Sequence, residues 1–324
     1  MFGVIKAMIP PFKNFPLGIR LAFIFALFCF NAILFGFVGE LFLAPFYKMD
    51  LAKVTSICEG NFTTNRDLYG FLLVQAVGSL GMFALTALLI SQLETGFIGK
   101  RLAMGIRPTF KLVVVAIIGV LGAQLFIQFL VELNEKVPIP DALKFLAEQG
   151  KQAEKIELAL MKGNSLLMFL ANTLVLAVVP AFAEELFFRG LILGDLLKSK
   201  VNPAVAIIST GLLFSIAHSQ FNNLLAIWVL GSFLGYLYYA SGSLWLPVIA
   251  HFTNNFLLIL LKYIYNAGLI KTDIAEVDIP LYATVVSTAL FLVCFFILTK
   301  WRRPVDFELE LGDPDLINEE NYSE

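Results

Sequence analysis

Long apolar runs separated by short polar segments dominate the amino-acid sequence. A helix that crosses a bilayer needs about 20 mostly apolar residues at 1.5 Å each. Eight runs predict spanning helices, at approximately 21–44, 68–92, 111–132, 165–197, 203–219, 222–240, 243–263 and 280–300. The fourth run is too long for one upright span and contains Pro180, so we expect it to tilt, kink or protrude. The pattern predicts an all-α, polytopic membrane helix bundle.

The polar segments between these runs divide the chain into four predicted parts. They are N-terminal membrane helices with polar loops over 1–164, a helical core over 165–263, a last spanning helix with its flanks over 264–303, and a tail over 304–324. The tail holds eight acidic residues and no basic one. This composition predicts a disordered segment.

Composition excludes a soluble globular protein. Hydrophobic residues make up 59% of the chain and charged residues 15%, whereas a soluble domain carries about 25% charged residues. The 23 basic and 25 acidic residues give no basic excess, and such an excess marks nucleic-acid binding. We therefore expect the lipid bilayer, and no nucleic acid, as the surroundings of this protein.

The basic residues favour one orientation in the membrane, because Lys and Arg are enriched at the cytoplasmic ends of spanning helices. With the N-terminus inside, tight basic clusters at 100–111 and 300–303 fall on the cytoplasmic side. The basic residues of the other side are diluted by acidic ones. We expect an integral membrane protein with cytoplasmic N- and C-termini, in the plasma membrane if the host is a prokaryote.

Charged residues interrupt the apolar fourth run, where they are costly and usually functional. Glu185 and Arg189 are four residues apart, so they share a helix face and can pair. Glu184 projects about 100° away around the helix and is less easily neutralised by the same arginine. A purely architectural ion pair needs one acid and one base, so the second glutamate favours chemistry.

Both histidines of the chain also fall in apolar segments. His218 ends a run that begins at Phe214, and His251 lies four residues before Asn255. At 1.5 Å per residue, Glu184, His218, His251 and Asn255 lie about 12–22 Å from the cytoplasmic helix ends. A lone membrane histidine is often only an interhelical contact. Polar groups at one depth on separate helices instead predict a hydrated site.

Two kinds of chemistry fit these residue types. A glutamate beside a histidine can activate water as a general base, while a second histidine and an asparagine can stabilise an oxyanion. The same Glu184, His218 and His251 could instead bind zinc. The sequence contains no GxSxG nucleophile motif, so a covalent mechanism has little support.

The ordered motifs resemble one family. Glu-Glu-x-x-x-Arg at 184–189, Phe-x-x-x-His at 214–218 and His-x-x-x-Asn at 251–255 are similar to those of the CPBP intramembrane proteases. This family includes the CAAX prenyl endopeptidases, bacteriocin-processing enzymes and abortive-infection proteins. The resemblance covers roughly residues 165–263, and it implies that this part is the catalytic helix core.

The resemblance also implies a role for each residue. Glu184 and His218 would act on the attacking water, and His251 and Asn255 would stabilise the oxyanion, with Glu185, Arg189 and Phe214 in supporting positions. It implies an endopeptidase of glutamate type or metallo-type. The expected substrate is a membrane-associated protein or peptide. We expect no required cofactor, although zinc on Glu184, His218 and His251 is the metalloprotease alternative.

Two other functional classes remain open. A binding or immunity protein could keep the same fold without turnover. A proton-coupled transporter would also keep acids and histidines at mid-depth, but the sequence contains no evident inverted repeat.

Overall fold

The computed structural model describes residues 12–95, 98–139, 141, 144–271, 279–303, 305 and 307. Every regular element in these ranges is a helix, which confirms the all-α class. In chain order we label the helices α1 Leu17–Tyr47, α2 Leu51–Cys58, α3 Asn65–Glu94, α4 Ile98–Arg101, α5 Phe110–Gly122, α6 Gln124–Glu135, α7 Lys144–Leu160, α8 Leu166–Lys198, α9 Pro203–Ala217, α10 Phe221–Ser241, α11 Trp245–Asn266 and α12 Leu281–Lys300.

The prediction of eight spans is wrong. In the described part of the chain, α1, α3, α8, α10, α11 and α12 are the 6 helices that are long and apolar enough to cross a membrane. The third predicted span is broken: α5 and α6 meet at an angle of 43°, and they make a seventh span only if the bent pair is counted as one. The apolar run at 111–132 gave no sign of this bend.

The fifth predicted span is shorter than expected. Helix α9 has 15 residues, which is about 22 Å against about 30 Å of hydrocarbon. The helix ends at Ala217 because His218 is its C-cap and Ser219 takes a left-handed conformation with φ 53°. The histidine therefore lies at the end of a helix rather than within one.

Helix α8 runs through the centre of the bundle. It has 33 residues, about 50 Å, so it exceeds the thickness of the hydrocarbon core. Two of its stretches, Thr173–Val178 and Leu186–Leu193, are π-helical. Such turns are rare and often accompany functional sites. Between them lies Val179–Glu185, which contains Pro180 in its first turn and ends with the two glutamates.

Buried ionic contacts join several helix ends at one face of the bundle, which we call the arginine face. Arg101 pairs with Glu94 at the end of α3 and with Asp195 near the end of α8. Arg20, near the start of α1, lies 3.5 Å from Glu94 and donates to Ser199 at 3.0 Å. The start of α1 and the ends of α3 and α8 therefore lie at the same face.

The opposite face is held by side-chain amides. Asn134 of α6 donates to the carbonyl of Phe221 and accepts from the amide of Leu225, at 2.8 and 2.9 Å. Asn266 at the end of α11 donates to the carbonyl of Met161 at 2.7 Å. The first two contacts join the end of α6 to the start of α10, and the third joins the end of α11 to the residue that follows α7.

Small residues bring α9 close to α10. A Cβ atom on Gly211 of α9 would lie 2.7 Å from the backbone nitrogen of Ser232, and one on Gly231 would lie 3.2 Å from the carbonyl oxygen of Gly211. Close backbone approach through small residues is a usual way for helices to associate in a bilayer. The close approach holds α9 against α10, and His218 directly follows the last residue of α9.

The predicted acidic tail lies outside the described residues except at two positions. Val305 approaches Gly242, and the ring of Phe307 lies 5.7 Å from that of Tyr238. The start of the tail therefore contacts the end of α10.

Candidate functional site

Glu185 is the centre of a buried charge cluster. Its Oε1 accepts a hydrogen bond from Nη1 of Arg189 at 2.7 Å, and both side chains are fully buried. A second guanidinium nitrogen of Arg189 donates to the carbonyl of Gly231 at 2.8 Å. The two charges therefore pair within α8 and Arg189 ties the pair to α10, although Oε2 of Glu185 and Nε of Arg189 have no hydrogen-bond partner among the described residues.

His251 joins the same oxygen from another helix. Its Nδ1 lies 2.8 Å from Oε1 of Glu185. Because a carboxylate can only accept, the contact places the hydrogen on Nδ1 of His251. This fixes the orientation of the imidazole and leaves Nε2 for other partners, as in hydrolases whose histidine is held by a carboxylate.

His218 is oriented in the same way but by the backbone. Its Nδ1 lies 2.8 Å from the carbonyl oxygen of Phe214, so Nδ1 carries the hydrogen and Nε2 of the neutral ring keeps its lone pair. Nε2 lies 3.8 Å from Oε2 of Glu184. The His218 side chain is 28% exposed and that of Glu184 is 11% exposed.

Glu184 differs from its neighbour in its partners. Within the described residues, its Oε2 has no hydrogen-bond partner, whereas Glu185 holds both Arg189 and His251. A buried carboxylate without compensation is costly. One glutamate is thus neutralised and the other is left beside a histidine.

Phe214 separates the two histidines. Its ring centroid lies 4.5 Å from that of His218 and 5.7 Å from that of His251. The guanidinium carbon of Arg189 lies 4.6 Å from the same ring, which is within the range of a cation–π contact. The aromatic ring packs against three polar groups of the site.

Asn255 makes its described hydrogen bonds away from the glutamates. Its Nδ2 donates to the carbonyl of Leu176 on α8 at 3.1 Å, and its Oδ1 accepts from Nδ2 of Asn254 at 3.2 Å. The structure thus brings Glu184 to His218, and Glu185 to Arg189 and His251. It brings Asn255 to α8 two turns before Glu184.

Gln124 is a polar residue near this site that the sequence analysis missed. Its Nε2 donates to Oδ1 of Asn254 at 3.2 Å, although the two residues are 130 positions apart. The only signal in the sequence is two amides, Gln124 and Gln128, shortly after Gly122 in an apolar run. Hydropathy alone could not pair it with α11.

The predicted zinc ligands do not form a metal site in this structure. Among the residues it describes, no three His, Cys, Asp or Glu side chains lie close enough together to hold a metal ion.

Residues 166–257 match the protein family described as type II CAAX prenyl endopeptidase Rce1-like. This segment is similar to that family. It begins at the first residue of α8, ends within α11 and holds every site residue that the sequence predicted. The predicted resemblance to the CAAX prenyl endopeptidases is thereby confirmed for this segment, and Gln124 lies outside it.

One curated relative supports the same assignment. YdiL of Bacillus subtilis (strain 168), a proposed membrane peptidase, is 28% identical over 89 residues, which are 28% of this chain and 36% of that protein. The match thus spans about a third of the length of this relative. No solved structure matches the chain. With six long apolar helices among the residues that the structure describes, and a segment similar to a membrane peptidase family, the chain is an integral membrane protein.

Proposed function

We propose that this protein is an intramembrane endopeptidase of the CAAX-protease type, in which Glu184 and His218 activate a water molecule. The observation that carries the proposal is the 3.8 Å separation between Oε2 of Glu184 and Nε2 of His218. That distance is too long for a direct hydrogen bond and suits a water molecule in contact with both groups.

The adjacent Glu185 supports this assignment. Because Arg189 and His251 neutralise Glu185, Glu184 remains as the carboxylate that can act as a general base. It takes a proton from the water as the water oxygen attacks the scissile carbonyl. The peptide C–N bond then breaks, and the proton passes to the leaving amine.

The developing oxyanion needs hydrogen-bond donors. In our proposal, Nε2 of a protonated His251 and the Nδ2 group of Asn255 are those donors. Glu185 stabilises the charged imidazole, since its Oε1 lies 2.8 Å from Nδ1 of His251. All these groups belong to the protein chain, so the proposal is a glutamate-type rather than a metallo-type enzyme.

We propose a membrane-associated, CAAX-type peptide as the substrate, because the matching family is named for prenyl endopeptidases. We also propose that the arginine face is cytoplasmic, with both termini on that side. The basic clusters that favour this orientation include Arg101, which lies at that face.

The experiment compares the full-length wild type with Glu184→Gln in detergent, with a farnesylated CAAX peptide and its unprenylated counterpart as probes. We expect the wild type to cleave the farnesylated peptide and Glu184→Gln to lose cleavage by about 10²–10⁴-fold. The matched control is Glu40→Gln, which changes another glutamate within a span, in α1. It should cleave like the wild type.

Membrane peptides from cells that express each variant extend the test to unknown substrates. Mass spectrometry should find peptides that accumulate uncut only with Glu184→Gln. If the wild type and Glu184→Gln give identical peptide patterns, and Glu184→Gln fully complements a deletion strain, the results would favour a non-catalytic binding or immunity protein. Proton uptake into vesicles that hold the purified protein would favour the transporter.

A further inference from the structure

The break between α5 and α6 frees backbone groups that a bilayer cannot solvate. Two side chains satisfy them. Gln124 donates from Nε2 to the carbonyl of Val120 at 2.8 Å. Ser287 of α12 donates to the carbonyl of Gly122 and accepts from the amide of Phe126. The 43° bend is therefore a built feature.

The same Gln124 begins a chain of side-chain amides. Its Nε2 also donates to Oδ1 of Asn254, whose Nδ2 donates to Oδ1 of Asn255. Nδ2 of Asn255 then donates to the carbonyl of Leu176 on α8. The successive distances are 3.2, 3.2 and 3.1 Å. The chain thus runs from α6 through α11 to α8.

The two ends of this chain of amides constrain how the amides between them are oriented. The chain ends on two backbone carbonyls, those of Val120 and Leu176, and a carbonyl can only accept a hydrogen bond. Gln124 donates from its nitrogen to both Val120 and Asn254. Asn254 and Asn255 each accept on oxygen from one neighbour and donate from nitrogen to the next. Asn255 uses one N–H on Leu176, which leaves its second N–H available.

We propose that Gln124 and Asn254 are positioning residues that hold the Asn255 amide with its free N–H toward the oxyanion. This inference rests on the proposed function, in which Asn255 donates to that oxyanion. If Gln124 cannot donate, Asn254 is free to turn over and its oxygen can face the oxygen of Asn255. Oδ1 of Asn255 then loses the hydrogen bond from Asn254, so the amide is no longer held with its second N–H toward the oxyanion.

A role in the helix bend alone does not account for this arrangement. The carbonyl of Val120 accepts from the amide of Ala123 and from Gln124, so the bend needs no further contact of Gln124. The second contact reaches a buried asparagine on another helix. Asn254 in turn donates a hydrogen bond from Nδ2 to Oδ1 of Asn255.

Three variants of the full-length protein test the chain of amides with the farnesylated peptide as the probe. Gln124→Met removes the donor, while Gln124→Glu and Asn254→Asp place an acceptor where a donor stood. Each should lower kcat by about 10- to 100-fold, since losing an oxyanion donor outright costs about 10²–10³. KM should stay within about twofold, because the contact acts in the transition state. Gln128→Met, one turn further along α6, is the matched control and should keep the wild-type kcat.

A double-mutant cycle separates positioning from a structural role. In the Asn255→Ala background, Gln124→Met should lower kcat no further, because the effect of Gln124 passes through Asn255. A full additional loss of kcat would overturn the proposal. So would a rise in KM with unchanged kcat in all three variants.

A spectroscopic measurement distinguishes failure of this inference from failure of the proposed function. If the wild type and Glu184→Gln are equally inactive, the proposed function fails, but the amide chain remains testable in full-length protein carrying ¹⁵N-labelled asparagine. Gln124→Met should shift the side-chain NH₂ signal of Asn255, and Gln128→Met should not. An unmoved Asn255 signal in Gln124→Met and Gln124→Glu would overturn the positioning role.

Discussion

Nδ1 of His251 lies 2.8 Å from Oε1 of Glu185. The same oxygen accepts from Arg189 at 2.7 Å, so one carboxylate holds a cation on its own helix and an imidazole on another. The contact gives two consecutive glutamates different surroundings. The stability of α8 and the orientation of His251 therefore both depend on the side chain of Glu185.

We predict that Arg189→Met strands the buried carboxylate of Glu185 at a cost of roughly 3–5 kcal/mol. The melting temperature in detergent and the yield of protein should both fall. The double variant Glu185→Leu/Arg189→Met should recover most of the loss, because it removes both charges together. Wild-type stability in Arg189→Met with lost cleavage would instead make Arg189 a catalytic or substrate-binding residue.

For Glu184 we predict the opposite result. Glu184→Gln should keep or raise the melting temperature, since Oε2 of Glu184 is buried and has no partner in the described part of the chain. Cleavage should nevertheless be lost, because glutamine cannot accept a proton from water. Melting and cleavage are measured on the same preparation. A fall in stability as large as that of Arg189→Met would assign Glu184 a structural role.

The sequence predicted the local parts of this structure well. Helical spacing placed Glu185 and Arg189 on one face, and a distance of 2.7 Å now joins them. The apolar runs also predicted the all-helical class correctly. Both predictions depend only on residues that are close together in the sequence. The contact of Glu185 with His251 joins residues 66 positions apart, and no local pattern reports it.

The errors have a physical cause as well. Hydropathy counts apolar residues, and it registers neither the left-handed turn at Ser219 that ends α9 nor the 43° bend after Gly122. Both features shorten a predicted span. They also position the side chains of His218 and Gln124. Gln124 begins the amide chain, whose next residue lies 130 positions away in the sequence, so no local pattern predicts it.

The removal of one partner from the buried cluster at the arginine face should be strongly destabilising. Burial lowers the pKa of Arg101, but the charges of Asp195 and Glu94 outweigh that effect and hold the pKa above its usual value. The guanidinium therefore keeps its charge, and its contribution to stability persists to the highest accessible pH. Arg101→Leu leaves two buried carboxylates with Arg20 as their remaining partner.

We expect Arg101→Leu to cost roughly 3–5 kcal/mol, measured as the shift in thermal or denaturant unfolding. Arg107→Leu is the matched control, because Arg107 is exposed and a surface change of this kind stays within about 0.5 kcal/mol. Equal effects of the two variants would show that the cluster contributes no more than a surface charge.

The close contact of α9 with α10 leads to a prediction at Gly211. A Cβ atom there would lie 2.7 Å from the backbone nitrogen of Ser232, so Gly211→Ala should cost about 1–3 kcal/mol. Cleavage should fall too, since α9 carries His218 at its end. In the control Gly36→Ala, the Cβ atom has no neighbour within 4 Å among the described residues. That variant should keep the wild-type melting temperature, and an equal loss in both would refute the contact.

The last prediction concerns zinc. Among the described residues, no three His, Cys, Asp or Glu side chains lie close enough together to hold a metal ion, and the fourth polar residue of the site, Asn255, is a poor zinc ligand. We therefore expect purified protein to hold no stoichiometric zinc, and we expect His218→Ala to change its metal content no more than the control Gln128→Met does. Elemental analysis by mass spectrometry after dialysis against micromolar zinc measures both. About one zinc per chain in the wild type, lost in His218→Ala and His251→Ala, would contradict the prediction and restore the metallo-type mechanism. In that event Glu185 would be the residue that orients a metal-bound His251, which is the usual arrangement of a carboxylate behind a histidine ligand.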